Sequence, residues 1–286
     1  MRGLIDYLGA EDVTWDVVTG ISAGGLNAAQ VFTTKIGTEH DMSNEMLSLW
    51  RKNPEIMKNW PEGMAVGLLT RPSLWDNSPL RELVQDVLRD KPIHRRFAVS
   101  ATDANRAEFV TFTETMPIDD IWKALIGSAS LPGVFPPMVY DNMTLIDGGS
   151  IWGVDIPSAI TRCREIADRD EDITVDVLLC YGNLRNDYEP KNKVRTYHVM
   201  QRYLQLKLWY FDMKDVNGTI VDYPDVNFRS IIYPTTHLPS GVVPIFVKTE
   251  DIEFMIQQGI KDATDALTSR PEGYGQIIRE YQQYLR

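Results

Sequence analysis

Cysteine is scarce in this chain, with two among 286 residues, Cys163 and Cys180. Two cysteines do not supply the disulfide framework of a small secreted protein, so the sequence predicts a reducing, cytoplasmic compartment. Basic residues are also in deficit, because 29 lysines and arginines are outnumbered by 40 acidic residues, for a net charge of −11. Nucleic acids and anionic lipid surfaces both select basic proteins, so this balance argues against either as a partner.

Long apolar runs are missing as well. No segment approaches the roughly 20 apolar residues of a membrane-spanning helix. The first residues, MRGLIDYLGAEDVTWD, lack the apolar core of a signal peptide. We therefore expect any contact with membranes or lipid droplets to be peripheral.

Short β-branched segments alternate along the chain with amphipathic ones. The pattern predicts strands at 13–19, 96–102, 107–113, 143–146, 175–180 and 226–233, and helices at 26–32, 41–52, 77–88, 117–129, 157–166, 196–213 and 249–268. Such alternation predicts a mostly parallel sheet with helices on both faces. No repeat, low-complexity tract or linker interrupts it, so we expect one domain over residues 1–286.

One string between the first predicted strand and helix has the pattern G-x-S-x-G: Gly20, Ile21, Ser22, Ala23 and Gly24. In a nucleophile elbow the chain turns sharply from strand to helix, so the serine needs small neighbours where the backbones crowd. The turn places the hydroxyl beside helix N-terminal N–H groups that favour negative charge. The alternative interpretation is a glycine turn that packs a helix against a strand.

A second string, Asp147-Gly148-Gly149, directly follows a predicted strand. The two glycines permit a tight turn and close backbone approach. An aspartate there projects from the carboxyl end of a strand, where α/β sheets place their sites. The alternative is an Asp-Gly turn that closes a hairpin.

The serine of an elbow needs a base, which in a catalytic triad is a histidine. The four histidines are His40, His94, His198 and His237, and none follows a clear parallel strand with glycine around it. Surface or packing roles suit all four better. A Ser-His-Asp esterase would need His198 or His237 in the site.

Three strings together resemble the patatin-like phospholipase family: GISAGGLNAA (20–29), SASLPGVFPP (128–137) and LIDGGSIWGVDIP (145–157). The resemblance implies a three-layer α/β/α domain and cleavage of acyl esters of phospholipids or neutral lipids. It also implies a Ser–Asp dyad, with Ser22 as nucleophile and Asp147 as its base, and no metal or organic cofactor. The implied partner is a lipid ester.

Members of this family also carry a glycine-rich oxyanion loop after a first strand, ahead of the elbow. Only 19 residues precede Gly20 here, and Gly3 and Gly9 are the glycines among them. We therefore expect the chain to be N-terminally incomplete, lacking that strand and loop. The rival hypothesis is an inactive patatin-like protein that binds lipid or a partner protein.

Overall fold

The computed structural model describes residues 1–9, 13–52, 55–63, 67, 69–180, 196–236, 238–239 and 247–268, without the side chains of residues 196–198 and 201. Its main elements, in chain order, are α1 (Arg2–Leu8), β1 (Val17–Ile21), α2 (Ala23–Phe32), α3 (Glu39–Arg51), α4 (Ser78–Leu88), β2 (Arg96–Asp103), β3 (Glu108–Phe112), α5 (Ile121–Ser128), β4 (Met138–Tyr140), β5 (Met143–Asp147), α6 (Ile156–Cys163), β6 (Thr174–Leu178), α7 (Thr196–Asp222), β7 (Asn227–Ile232) and α8 (Thr249–Thr268).

The chain forms two compact units. One, here called the Ser22 unit, comprises Thr14–Met42 and Pro54–Ile166. The other, called the C-terminal unit, comprises Met1–Val13, Ser43–Asn53 and Ala167–Arg286. The expectations of a single domain and of an upstream strand and loop stay predictions.

A five-stranded sheet forms the centre of the Ser22 unit. β2 pairs with β3 along one edge, and its other edge is shared by β1 and β5. β1 runs parallel to β2 as far as the pair Ile21–Ser100, and β5 runs antiparallel to β2 from the pair Asp147–Ala101. The carboxyl ends of β1 and β5 therefore meet at two consecutive residues of β2.

Helices cover both faces of this sheet. Successive residues of β2 point to opposite faces, so the contacts of Val99 and Ser100 identify the helices on each side. On the Val99 side, a Cβ placed on Gly25 of α2 would lie 3.3 Å from Val99 Cγ1 and 3.5 Å from Ser128 Oγ of α5. On the opposite side, the Ser100 hydroxyl donates to Asp155, the residue that caps α6, at 2.6 Å. The predicted α/β/α arrangement is confirmed, with a sheet of mixed strand direction.

The start of β2 is anchored by a buried ion pair. Arg95 Nη1 lies 2.8 Å from Glu39 Oε1, and both side chains are fully buried. The Arg95 guanidinium also donates to three backbone carbonyls, those of Trp15, Thr34 and Lys35. Removing either partner would leave the other charge buried and unpaired, which is strongly destabilising. The pair therefore holds in place the segments that lead into β1 and β2.

The C-terminal unit contains a second, two-stranded parallel sheet formed by β6 and β7. Helices α1 and α8 cross closely in this unit, since a Cβ on Gly3 would lie 2.6 Å from the Ile260 carbonyl oxygen. Trp209 and Met213 of α7 are buried, and the Trp209 ring lies 5.9 Å from that of Tyr233. Among the described residues, no helix is both long and apolar enough to cross a bilayer.

Most predicted elements are present with shifted ends. The predicted helix over 249–268 coincides with α8, whereas the helix predicted over 196–213 continues to Asp222. The strand predicted over 13–19 begins only at Val17. The short strand β4 was not predicted; it pairs with β5 as a hairpin after the Pro136-Pro137 sequence.

Candidate active site

Ser22 occupies the sharp turn between β1 and α2. Its backbone has φ 55° and ψ −125°, a region that costs a side-chain-bearing residue about 1–3 kcal/mol. A Cβ on Gly20 would lie 2.6 Å from the Gly25 nitrogen, so position 20 tolerates only glycine. The predicted crowding does not extend to Gly24, where a Cβ would meet nothing within 4 Å.

Asp147 ends β5 and is only 4% exposed. Its Oδ1 accepts the Gly149 N–H at 2.8 Å, while its own N–H donates to the Ser130 carbonyl at 2.9 Å. A Cβ on Gly148 would lie 2.5 Å from the Ser100 carbonyl oxygen, which explains glycine at this position. The turn thus presses against β2 and holds the carboxylate in one orientation.

The structure brings the two predicted residues together, because β1 and β5 end at adjacent positions of β2. The Ser22 hydroxyl lies close enough to the Asp147 side chain to lower the pKa of that carboxyl by hydrogen bonding. Burial raises the pKa of Asp147, and the hydrogen bonds from Ser22 and Gly149 oppose that rise without cancelling it. A carboxylate with a raised pKa is a stronger base than an exposed one.

The N-terminus of α2 supplies the positive end of the site. The first hydrogen bond within this helix runs from the Leu26 N–H to the Ser22 carbonyl at 3.2 Å. The N–H groups of Ala23, Gly24 and Gly25 therefore have no acceptor within the helix. With the helix dipole, they favour negative charge beside the Ser22 hydroxyl.

Four further polar residues support this turn and were assigned no role by the sequence: Thr19, Ser100, Ser128 and Asp155. Ser128 accepts the Ser22 N–H at 2.9 Å and donates to the Ser100 carbonyl at 2.7 Å. The Asp155 side chain accepts from the Ser100 hydroxyl, and its carbonyl accepts from Thr19 Oγ1 at 3.2 Å. Ser128 and Asp155 lie in the strings that carry the family resemblance, but no local pattern reveals contacts between such distant residues.

The histidines contribute nothing to the described part of this site. His40 lies in α3 with its side chain 45% exposed, and the His94 N–H donates to the Phe32 carbonyl. His237 and the His198 side chain lie outside the described residues, so the triad alternative is not tested. Within the described ranges, no group of three or more His, Cys, Asp or Glu residues is arranged to hold a metal ion.

A strand, a strained serine turn and a following helix, with a carboxylate at a neighbouring strand end, define the nucleophile-elbow class of α/β proteins. The comparison with known families is more specific. The family model of patatin-like phospholipases matches residues 2–160, and the chain belongs to this family. That membership places it in general among lipid acyl hydrolases, whose substrates are lipids.

Proposed function

We propose that this protein hydrolyses carboxylic ester bonds of phospholipids or neutral lipids through an acyl-serine intermediate on Ser22. The observation that carries the proposal is that β1 and β5 end at adjacent residues of β2, which places the strained Ser22 turn beside the buried carboxylate of Asp147. A nucleophile and base in contact are the minimum needed for covalent acyl transfer.

In the first half of the reaction, Ser22 Oγ attacks the carbonyl carbon of the ester. Asp147 accepts the hydroxyl proton as the new C–O bond forms, and the former carbonyl oxygen becomes negatively charged. The free N–H groups at the start of α2 stabilise that charge. The tetrahedral intermediate then collapses, and the departing alcohol takes the proton from Asp147.

In the second half, water attacks the acyl group on Ser22, and Asp147 accepts a proton from that water. Collapse of the second tetrahedral intermediate breaks the bond to Ser22 Oγ, which recovers its proton from Asp147. The products are a fatty acid and the regenerated enzyme. No redox step occurs, so these residues and water balance the reaction without a cofactor.

The proposal extends to where the protein works. We propose a cytoplasmic protein that meets neutral lipid surfaces peripherally, because its net charge of −11 disfavours anionic ones. Co-flotation with vesicles of phosphatidylcholine, compared with vesicles containing phosphatidylserine, tests this preference. Equal or stronger binding to the anionic vesicles would contradict it.

The decisive experiment compares the wild type with Ser22→Ala on a panel of lipid esters. Labelling by a fluorophosphonate probe, with the modified residue located by mass spectrometry, shows whether Ser22 is the nucleophile. Ser48→Ala, an exposed serine on α3, is the matched control and should retain full labelling and turnover. A folded wild type that neither labels nor hydrolyses esters would favour the inactive, lipid- or partner-binding hypothesis.

A further inference from the structure

We propose that Ser128 is a positioning residue that holds the backbone of Ser22 in its reactive conformation and aligns it with Asp147. This inference rests on the proposed acyl-transfer function. Ser128 ends α5, is completely buried, and contacts the elbow through its hydroxyl. It touches none of the reacting atoms, so its effect would be transmitted through Ser22.

The Ser128 hydroxyl has a fixed hydrogen-bond direction. A serine hydroxyl has one proton to donate and two lone pairs to accept with. The proton of Ser128 goes to the Ser100 carbonyl at 2.7 Å, so a lone pair faces the Ser22 N–H, whose nitrogen is 2.9 Å away. An alanine at position 128 would leave both of these buried backbone groups without that partner.

The Ser100 carbonyl is also where the Asp147 turn contacts β2. Gly148 approaches this carbonyl oxygen so closely that a Cβ there would lie 2.5 Å away. Ser100 pairs with Ile21, and the next residue of β2, Ala101, pairs with Asp147. Ser128 is therefore hydrogen-bonded to Ser100, the residue of β2 beside which both β1 and β5 end.

This arrangement separates the two backbone N–H groups at the elbow. The Ser22 N–H is committed to the Ser128 hydroxyl. The next N–H, that of Ala23, has no acceptor within α2 and remains for the developing oxyanion. If the Ser22 N–H lost its partner, the strained turn could relax, which would misdirect both the Ser22 hydroxyl and the Ala23 N–H.

Ser130 provides a closely matched control. It is also completely buried, and its hydroxyl donates to the Ile126 carbonyl at 2.8 Å. Ser130→Ala therefore removes the same atoms and one buried hydrogen bond from the same segment. The Ser130 backbone carbonyl, which accepts the Asp147 N–H, is kept in Ser130→Ala, and only Ser128→Ala removes a partner of Ser22.

The experiment measures kcat and KM for a soluble acyl ester in wild type, Ser128→Ala and Ser130→Ala. We expect kcat of Ser128→Ala to fall about 10²-fold at nearly unchanged KM, since small misplacements of reacting groups cost that much. The kcat of Ser130→Ala should stay within about threefold of the wild-type value. Its loss of thermal stability should be similar to that of Ser128→Ala, since each variant loses a buried hydroxyl. Equal losses of kcat in the two variants would overturn the proposal.

Amide hydrogen exchange at Ser22 keeps the inference testable apart from the proposed function. The Ser22 amide should be protected in the wild type and in Ser130→Ala, and should exchange at least about tenfold faster in Ser128→Ala. Unchanged exchange in Ser128→Ala overturns the proposal even if the protein hydrolyses no ester. A wild type that lacks activity but shows this pattern refutes only the acyl-transfer function.

Ser128→Cys is the second variant should Ser128→Ala fail to fold. Its thiol nearly preserves the side-chain volume but is a weak donor and acceptor. We expect faster Ser22 exchange and lower kcat than in the wild type. Wild-type values for both measurements would overturn the proposal.

Discussion

Each of the two compact units buries an aspartate whose pKa is raised. Asp147 in the Ser22 unit is 4% exposed, and Asp212 on α7 in the C-terminal unit is 5% exposed. Burial is the main cause for both. Their surroundings differ, because Asp147 receives hydrogen bonds from Ser22 and Gly149, whereas the negative charge of Asp215 adds to the effect of burial on Asp212 and raises its pKa to about 7.

The comparison shows why a perturbed pKa alone does not define a catalytic group. Active sites concentrate such groups, but buried acids elsewhere titrate abnormally for the same physical reason. What distinguishes Asp147 is its contact with the hydroxyl of a strained serine beside a helix N-terminus. We infer function from that neighbour, and the variants below separate the two kinds of buried acid.

The largest expected effect is on turnover. Asp147→Asn keeps the shape of the side chain but removes the proton acceptor, so ester hydrolysis should fall by about 10²–10⁴-fold. Asp212→Asn should retain most of the activity, because Asp212 takes no part in the proposed reaction. Initial rates on one lipid ester, with both proteins checked for folding by circular dichroism, make the measurement.

Two outcomes would break this comparison. An Asp212→Asn variant as inactive as Asp147→Asn would remove the distinction between the aspartates. A loss in His198→Asn or His237→Asn as large as that in Asp147→Asn would replace the dyad with a triad.

The second effect is on stability and concerns Asp212. Its folded-state pKa of about 7 exceeds the ordinary carboxyl value of 3.8, so the folded protein binds the proton more tightly. The free energy of unfolding therefore falls as pH rises from about 4 to 7 and levels off above that. Asp212→Asn removes this cost, which is on the order of 4 kcal/mol at pH 8, since each unit of difference between the two pKa values is worth about 1.4 kcal/mol.

Urea unfolding of wild type and Asp212→Asn at pH 4 and pH 8 tests this sign. The variant should be the more stable protein at pH 8 and show no such gain at pH 4. A variant that is less stable at pH 8 would mean that the ionised carboxylate makes favourable contacts which outweigh its burial.

The sequence supports the local parts of the site better than its assembly. Ser22 and Asp147 were found from short strings because each lies in a turn with its own glycine chemistry. Their meeting depends on β1 and β5 sharing one edge of β2, a register set by residues about 40 to 80 positions apart in the chain. The role of Ser128 could not be predicted for the same reason, since its two partners lie 106 and 28 residues away in the chain.

The start of β1 also shows what periodicity misses. A β-branched pattern predicts a strand from residue 13, but pairing with β2 begins only at Val17. Before that point the Trp15 carbonyl accepts from the Arg95 guanidinium, and the Asp16 carbonyl accepts from the Arg96 N–H. These tertiary contacts override a propensity that is only a weak guide to strand ends.

A third, smaller effect sharpens the comparison between the aspartates. The raised pKa of Asp147 means that its ionisation also costs stability, but the donors from Ser22 and Gly149 offset part of that cost. Asp147→Asn should therefore stabilise the protein at pH 8, by less than Asp212→Asn does. The same urea titrations give both gains, and a larger gain for Asp147→Asn would show that its two hydrogen bonds contribute little.

The smallest effect is expected at Gly24, within the elbow itself. A Cβ there meets nothing within 4 Å, and the residue is helical, so Gly24→Ala should change the free energy of unfolding by no more than about 1 kcal/mol, towards greater stability. The added methyl group would occupy open space beside the proposed oxyanion donors, so turnover of bulky esters should fall more than that of small ones.

Gly20→Ala is the contrast, since its Cβ would lie 2.6 Å from the Gly25 nitrogen and should destabilise the fold strongly. Thermal unfolding and turnover measured on both variants separate packing from substrate access. Equal destabilisation by the two substitutions would mean that the elbow is crowded on both sides of Ser22.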